Sequence, residues 1–386
     1  MSTYPPRRCG IATFTQHLAA AAGGGEIAAL ITPERGSPYP LEVHHRIRQD
    51  EPSDYMRSAH ELRGCVDVVS IQHEYGIWGG QDGSSVIDFA EALDLPTVAT
   101  LHTVLREPTD RQRTIMRGLV DRVEATVVMS TSAAELLANA YQVDPGRVEI
   151  IPHGVPDLPL VDPETIKPGL GVAGHQVILS FGLLGPGKGY ELAVDALPGV
   201  VARHPTALFV IVGATHPDLI RREGEAYRET LVARARALGV SDHVRFIDRF
   251  VGRVELTRWL EAADVFVTPY PNLDQIVSGT LSYAMGAGRV VVSTPYTYAA
   301  ELLADGRGIL VEQGSPERFA EALDRVLSDD ALRAAVGQKA HAHARRMIWS
   351  EVGLRYRRLF DRVGTAARPP STEAPSVPAS RVALGV

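Results

Sequence analysis

A chain of 386 residues, 45% of them hydrophobic, is too long for one ordinary hydrophobic core, so we predict two domains of about 150 to 200 residues each. The 39 basic and 46 acidic side chains give a net charge of −7 without a basic, aromatic-rich stripe, which argues against a nucleic-acid partner. The two cysteines, Cys9 and Cys65, are far apart in sequence, which argues against a disulfide framework or a zinc site.

The sequence shows neither an N-terminal secretion signal nor a membrane-spanning stretch. Residues 1–14 lack the apolar run of a secretion signal, and no stretch reaches the roughly 18 apolar residues that span a bilayer. We therefore expect a cytoplasmic protein without a transmembrane segment, and peripheral membrane contact stays open. Residues 366–386 are rich in Pro, Ser and Ala, which predicts a disordered tail.

Short β-branched runs alternate with helix-length amphipathic spacers along the chain. The runs lie at 26–32, 66–73, 97–102, 126–130 and 148–153 in the first half, and at 177–182, 208–213, 244–248, 265–270, 290–295 and 308–312 in the second. Continuous apolar strands separated by helices are typical of parallel sheets covered on both faces. The sequence therefore predicts two doubly wound α/β domains.

Prolines cluster in residues 154–170, where the helical periodicity lapses, so we place the domain boundary there. The predicted N-terminal domain is 1–160 and the predicted C-terminal domain is 161–340. Parallel α/β sheets bind ligands at the carboxyl ends of their strands. Candidate functional residues should therefore follow the strands directly.

The segment GLLGPGKG, residues 182–189, follows a predicted strand and precedes a helix, so Gly187 and Lys188 could contact a phosphate. It departs from a P-loop at Gly189, where Ser or Thr would bind Mg²⁺. An ordinary P-loop nucleotidase is therefore not favoured. A Pro-Gly turn with an exposed lysine is the structural alternative.

The segment QIVSGTLSYAMGAG, residues 275–288, predicts a helix with Ser278 as its N-cap. The amides of Gly279 and Thr280 would lie at the positive end of the helix dipole, where an anion binds well. Taken alone, the segment is better explained by simple helix capping than by anion binding.

Polar residues also follow the predicted strands of the first half. PPRRCGIATF, residues 5–14, would present the amides of Gly10 and Ile11 to a cleft, with Arg7 and Arg8 adding positive charge. Gln72, His73, Glu74 and Trp78 form a set that could hydrogen-bond and stack on a sugar, and His102 ends the next strand. For each histidine, including His153 in the linker, a purely structural hydrogen bond is the alternative.

Several catalytic signatures are missing from the sequence. It contains neither the H-E-x-x-H metal motif nor the G-x-S-x-G nucleophile motif, and no G-x-G-x-x-G follows the first strand of either half. We therefore predict anion binding without a metal site.

The order of the motifs resembles the family 4 retaining glycosyltransferases of GT-B architecture over nearly the whole folded part of the chain. The resemblance is carried by RRCGIATFT, ATLHT, PHGV, GPGKG, ADVFVTPY, SGTLSYAMGAGRVVVSTP and AAELLADGRGILVE. It implies two facing Rossmann-like domains, with a nucleotide-sugar donor in the second and the acceptor in the first, and no cofactor. It also implies that the helix at 341–365, with Trp349, crosses back to the first domain.

The resemblance assigns roles to individual residues. It implies catalytic contacts from His102, Lys188 and Gln275. The sugar or acceptor contacts inferred above for Gln72, His73, Glu74 and Trp78 would lie in the acceptor domain. The donor and its phosphates would be bound by Gly10, Ile11, Gly187, Arg249, Ser278, Gly279, Thr280, Tyr283 and Glu301. The amides and the lysine would stabilise the departing nucleoside diphosphate, so no glycosidase-like carboxylate pair is needed.

Three positions depart from the family pattern. Gln275 and Tyr283 stand where the family commonly has glutamates, and Leu183 stands where an arginine normally joins the lysine on the diphosphate. Arg249 is our predicted substitute for that arginine. Because these departures weaken the nucleotide assignment, a phosphorylase that uses inorganic phosphate is the alternative, followed by a non-catalytic sugar-binding homologue.

Overall fold

Strands and helices alternate throughout the computed structural model, which describes residues 1–32 and 38–366. The strands are β1 Ile27–Ile31, β2 Val43–Arg48, β3 Val69–His73, β4 Thr97–Leu101, β5 Ala125–Val128, β6 Val148–Ile150, β7 Gln176–Phe181, β8 Ala207–Val212, β9 Val244–Ile247, β10 Val265–Thr268, β11 Val290–Ser293 and β12 Ile309–Leu310. The helices are α1 Gly10–Ala21, α2 Pro52–Leu62, α3 Ser85–Leu93, α4 Asp110–Arg122, α5 Thr131–Tyr141, α6 Pro163–Ile166, α7 Tyr190–Val201, α8 Pro217–Glu223, α9 Ala226–Ala237, α10 Arg253–Ala262, α11 Gly279–Gly286, α12 Thr297–Leu302, α13 Pro316–Ser328, α14 Asp330–Ala344 and α15 Trp349–Ala366.

None of the described helices offers an apolar stretch that could cross a membrane. The predicted disordered tail at 366–386 lies outside the described residues, apart from Ala366 at the end of α15.

Parallel sheets form the framework of both halves. In the first half the strand order is β3-β4-β5-β6, with a separate parallel pair β1-β2. Met1 and Ser2 lie between the two groups, because Gln72 N donates to Met1 O (3.0 Å) and Leu30 N donates to Ser2 O (2.7 Å). In the second half the order is β12-β11-β10-β7-β8-β9. The predicted parallel α/β architecture is confirmed.

The burial of the strands explains why their sequences are continuously apolar. Every residue of β4 and of β8 is buried, as expected for strands with helices on both faces. In the second half Leu179 and Val210 belong to the core on one face of the sheet, while Ile178 and Phe209 belong to the core on the other. The carboxyl ends of the strands are left for polar residues.

The last helix, α15, packs on the first half although it follows the second sheet in sequence. Val352 and Tyr356 join Phe14 and Leu18 of α1 in one buried cluster. Tyr356 also hydrogen-bonds Thr100 on β4, with 3.0 Å between the hydroxyl oxygens. The chain therefore returns from the second half to the first through α15.

Candidate active site

The start of α11 presents backbone amides beside both halves of the chain. Ser278 caps the helix, since its Oγ accepts from Leu281 N at 3.3 Å. Among the described residues, none accepts a hydrogen bond from the amides of Gly279 or Thr280. With the helix dipole, these amides can receive an anion.

Lys188 lies in the loop after β7, with its ammonium group near the start of α11. Its Nζ lies 3.1 Å from the Tyr270 hydroxyl and 4.5 Å from the centre of that ring. The Tyr270 hydroxyl in turn lies 2.7 Å from Thr280 Oγ1. The ammonium donates to Tyr270, so the buried phenol donates onward to Thr280. Within the described part of the chain, no carboxylate pairs with Lys188.

Glycines in the loop between β7 and α7 leave room for Lys188 to lie close to the start of α11. A Cβ on Gly189 (φ +61°) would lie 2.1 Å from Pro269 O, so only glycine fits there. A Cβ on Gly182 would lie 3.6 Å from both Lys188 Cε and Thr280 Cγ2. A Cβ on Gly187 would meet no atom within 4 Å, so this face of the loop is open.

His153 approaches α11 from the linker between the sheets. Its Nδ1–H donates to Gly154 O (2.8 Å), so the neutral ring carries its lone pair on Nε2. A Cβ on Gly279 would lie only 2.8 Å from this Nε2. Burial lowers the pKa of His153 to about 4, which keeps the ring neutral. Sequence reasoning gave His153 only a linker role.

His102 and Gln72 are brought together by the adjacent strands β4 and β3. Gln72 Nε2 donates to Ser70 Oγ, so its Oε1 faces His102 Nε2 at 2.9 Å and the proton lies on that nitrogen. Burial lowers the pKa of His102 to about 3, so the ring is neutral and its Nδ1 is an acceptor. The Phe14 ring contacts both His102 (4.8 Å) and His153 (5.2 Å).

The other residues predicted to contact a sugar differ in their burial and their hydrogen bonds. Glu74 accepts a hydrogen bond from Thr103, and burial raises its pKa. His73 is fully buried, and neither ring nitrogen has a hydrogen-bond partner among the described residues. The prediction that Trp78 stacks on a sugar is wrong, because Trp78 is 2% exposed, donates to Gln72 O (3.1 Å) and packs on Tyr55.

Glu301 contacts the opposite half of the molecule. Its carboxylate accepts from Thr131 N (2.8 Å) and Ser132 N (2.9 Å), at the start of α5. Burial alone would raise the pKa of Glu301, but the hydrogen bonds from the Ser132 and Thr131 amides together hold it below its usual value. Its predicted contact with a donor stays a prediction.

Gln275 and Tyr283, which stand near α11 at positions where the family commonly has glutamates, also form hydrogen bonds. Gln275 Nε2 donates to Val277 O at 2.8 Å. The Tyr283 hydroxyl lies 3.0 Å from His17 Nδ1 on α1, and burial raises the pKa of Tyr283 to about 12. Tyr283 therefore joins the two halves, a role that its place in the sequence motif did not indicate.

A cavity of about 480 Å³ opens at the carboxyl ends of β7, β8 and β9. Leu183 and Arg249 line it, as do residues from the loop after β8. Arg249 is already paired, because its Nη1 donates to Glu255 Oε2 at 2.6 Å. Arg8 lines the cavity from the other half of the chain.

The predicted amide site of the first half lies just after Arg8. Cys9 caps α1 with its Sγ, which accepts from Ala12 N at 3.3 Å. A Cβ on Gly10 would meet no atom within 4 Å, so the start of α1, with Gly10 and Ile11, is open. Within residues 1–32 and 38–366, no group of three or more His, Cys, Asp or Glu side chains is arranged to hold a metal ion.

Tyr270 and His17 contact the site residues but were not predicted from the sequence. The signal for Tyr270 was available, since it ends the run VFVTPY where a parallel strand finishes. The contact of His17 with Tyr283 depends on how the halves face each other, which no local pattern encodes.

Comparison with known proteins places the chain among sugar-transferring enzymes. The family model named Glycosyltransferase Family 4 matches residues 10–157, and the family model named Glycosyl transferases group 1 matches residues 162–343. D-inositol 3-phosphate glycosyltransferase from Xylanimonas cellulosilytica is 30% identical over 314 residues, which cover 76% of this chain and 71% of the relative. The protein of the same name from Corynebacterium efficiens is 26% identical over 323 residues, covering 79% and 73%.

Solved structures share the fold at low sequence identity. Sucrose-phosphate synthase from Thermosynechococcus elongatus matches with a TM-score of 0.75 and 16% identity, covering 92% of this chain and 93% of that one. HepE from Anabaena, in complex with UDP and glucose, matches with a TM-score of 0.68 and 17% identity, covering 82% and 86%.

Proposed function

Because the chain belongs to the family 4 glycosyltransferases and has their GT-B fold, we propose that it moves a hexose from a nucleotide-diphosphate sugar to a hydroxyl acceptor with retention of configuration. The observation that carries the proposal is the position of Lys188. Its ammonium group has no carboxylate partner among the described residues and lies, through Tyr270, beside Thr280 at the start of α11. An unneutralised cation beside free amides favours an anionic ligand.

The proposed chemistry is electrostatic. When the bond between the sugar and the diphosphate breaks, negative charge grows on the leaving phosphate oxygen. The amides of Gly279 and Thr280 and the Lys188 ammonium stabilise that charge where it develops. The leaving phosphate then accepts the proton of the attacking hydroxyl on the same face of the sugar, so the step needs no separate base. These groups supply the positive charge, so the proposal needs no metal ion.

His102 has a part in this proposal that follows from its protonation state. Its Nε2–H is bound to Gln72, so the free acceptor of the neutral ring is Nδ1. We assign this nitrogen to a hydroxyl of the transferred sugar. The ring contact of His102 with Phe14, which also touches His153, supports a location near Gly279.

A donor screen tests the proposal. UDP-, GDP- and ADP-sugars are incubated with simple sugars, inositol and inositol phosphate, the last because relatives carry the name D-inositol 3-phosphate glycosyltransferase. We expect release of one nucleoside diphosphate together with transfer, and NMR of the product should show the anomeric configuration of the donor. Inversion would contradict the mechanism.

A lysine variant tests the assignment of Lys188. Lys188→Ala should lower kcat/KM by about 100-fold or more, the scale of losing one transition-state donor. Lys339→Ala, which removes an exposed lysine on α14, is the matched control and should leave the rate unchanged. An equal rate in both variants would remove Lys188 from the mechanism.

Phosphorolysis is the second candidate, favoured by Leu183 and Tyr283. Leu183 brings no positive charge to the cavity, and Tyr283 is buried against His17, so two family contacts to a nucleotide are replaced. Thermal unfolding with inorganic phosphate plus a disaccharide distinguishes the two, because a ligand of the folded state raises the melting temperature. A shift with phosphate and none with nucleotides would favour the phosphorylase, and sugar binding without turnover would favour a binding protein.

A further inference from the structure

The cavity at the ends of β7, β8 and β9 is built by both halves of the chain. Leu183, Thr215 and Asp248 follow these three strands in the second half. Arg8 lies in the segment before α1, in the first half, and lines the same cavity. A ligand here would therefore touch both halves.

The arginines around this cavity differ in how their charges are balanced. Arg249 is bound to Glu255, and Arg221 is bound to Asp218. Arg8 is exposed, and its guanidinium group forms no hydrogen bond or ion pair with any residue of 1–32 or 38–366. Its positive charge is thus not neutralised by the described protein.

Backbone hydrogen bonds hold the segment on either side of Arg8. Arg7 N donates to Tyr4 O (3.1 Å), and Cys9 N donates to Arg7 O (3.1 Å). The neighbouring Arg7 side chain is engaged, because its Nη1 donates to Gln49 Oε1 at 3.0 Å. The loop therefore holds Arg8 at the cavity while its guanidinium group stays available.

We propose that Arg8 binds the diphosphate of a nucleoside diphosphate in this cavity, replacing the arginine that is absent at position 183. The proposal rests on the proposed nucleotide-sugar donor. A guanidinium group binds phosphate oxygens through two parallel hydrogen bonds, which a leucine cannot supply. Arg249, our sequence-based substitute, is less available because Glu255 occupies it. Since Arg8 comes from the first half, a diphosphate bound in this cavity would contact both halves.

Calorimetric titration of the full chain with UDP, GDP and ADP tests the proposal. Arg8→Ala should weaken binding of whichever nucleoside diphosphate the unaltered chain binds by about 10- to 100-fold, the range for one charge-assisted contact. Binding of the corresponding nucleoside, which lacks phosphate, should not change. Arg8→Lys should retain part of the affinity, because it keeps the charge and loses the paired hydrogen bonds.

Arg222→Ala is the matched control, because Arg222 is also exposed on α8 and does not line the cavity. It removes the same charge nearby and should change the affinity by less than about threefold, as expected for a screened surface charge. Arg8→Ala should also unfold at the same temperature as the unaltered chain, since the Arg8 guanidinium group forms no hydrogen bond or ion pair within residues 1–32 and 38–366.

The outcomes separate this proposal from the proposed function. If the unaltered chain binds no nucleoside diphosphate, the nucleotide-sugar proposal fails and the role of Arg8 fails with it. If the unaltered chain binds and Arg8→Ala binds equally well, only the role of Arg8 is overturned. That role is also overturned if Arg249→Ala abolishes binding while Arg8→Ala does not, or if Arg8→Ala weakens nucleoside and nucleoside diphosphate alike.

Discussion

Replacing Gly279 by alanine places a methyl group between His153 and the start of α11. The new Cβ would lie 2.8 Å from His153 Nε2, closer than real Cβ contacts, and 3.1 Å from Cε1, which is already tight. His153 cannot yield easily, because Gly154 O holds its Nδ1 at 2.8 Å and the Phe14 ring packs against it at 5.2 Å. Overpacking of this kind costs about 1–3 kcal/mol, and the better helix propensity of alanine returns up to about 1 kcal/mol. We expect a net loss of about 0–3 kcal/mol, which leaves the protein folded.

Activity should fall further than stability. The methyl group covers the amides that the proposal assigns to the leaving phosphate, and loss of one such donor costs about 10²–10³ in kcat. Urea unfolding and donor-dependent initial rates are measured on the same preparation.

Gly286→Ala provides the matched control for this experiment. Its Cβ would lie 3.0 Å from Val155 Cβ, so it strains the contact between the linker and the other end of α11. It should destabilise the fold without covering the amides. If both variants lose activity in proportion to their loss of folded protein, the anion site at Gly279 is refuted.

Other consequences concern stability and pH. Trp78→Ala should lower the free energy of unfolding in urea by about 3–5 kcal/mol, as for other buried aromatic side chains. The KM of either sugar substrate, measured on the protein that remains folded, should not change. A raised KM would instead support a contact between Trp78 and a sugar. Glu301→Gln should lower stability by about 1 kcal/mol near neutral pH, because charge-assisted hydrogen bonds at a half-buried site are lost. The folded-state pKa of Glu301 lies below its usual value, so the difference should be complete above the pKa of an ordinary glutamate. It should shrink below that pKa and be lost as the pH falls through the lower folded-state pKa; a constant difference would contradict this. Burial lowers the pKa of His73 and His153 to about 4 and that of His102 to about 3. The fold should therefore be most stable above the pKa of histidine in the unfolded chain. On acidification below it, the free energy of unfolding should fall by up to about 1.4 kcal/mol per pH unit for each histidine. Unfolding free energies at several pH values check the slope, and a flat profile would show that these rings are not held neutral.

The sequence predicts which chemistry collects at the carboxyl edge of each sheet. Lys188 follows β7 and Thr280 follows β10, and these strands are neighbours, so their side chains converge. Gln72 and His102 end the adjacent strands β3 and β4 for the same reason. Strand periodicity and the rule that ligands bind at strand ends are sufficient for this level of prediction.

The rule that ligands bind at strand ends does not predict which way a loop side chain points. Trp78 follows β3 by five residues, yet the turn after it folds the indole into the core. A Cβ on Gly79 would lie 1.8 Å from Gln49 O, so the glycine lets the chain close tightly at this point. Only a rule about the turn, and not the strand pattern, could have shown that Trp78 is buried.

Local sequence patterns likewise do not predict the contacts between the two halves. Glu301 caps α5 across 170 positions of sequence, and which carboxylate meets that helix depends on the relative orientation of the two sheets. Strand order within each sheet does not determine this orientation. The docking of α15 on α1 is the part that the sequence did indicate, through the family resemblance.

The neutral residues at the two family acid positions change the electrostatics of the site in a definite direction. A carboxylate at the position of Gln275 or Tyr283 would repel an anion bound at the start of α11, whereas an amide and a phenol do not. Tyr283 instead bonds to His17, and Ser130 Oγ donates to Ile276 O at 3.2 Å, so both halves close around the segment that leads into α11. In this partly enclosed position the attraction between Lys188 and an anion is weakened less by water. Under the proposed function, the neutral residues favour binding of the phosphate and offer no charged contact to the sugar or the ribose. We therefore expect the phosphate to be the main determinant of donor affinity.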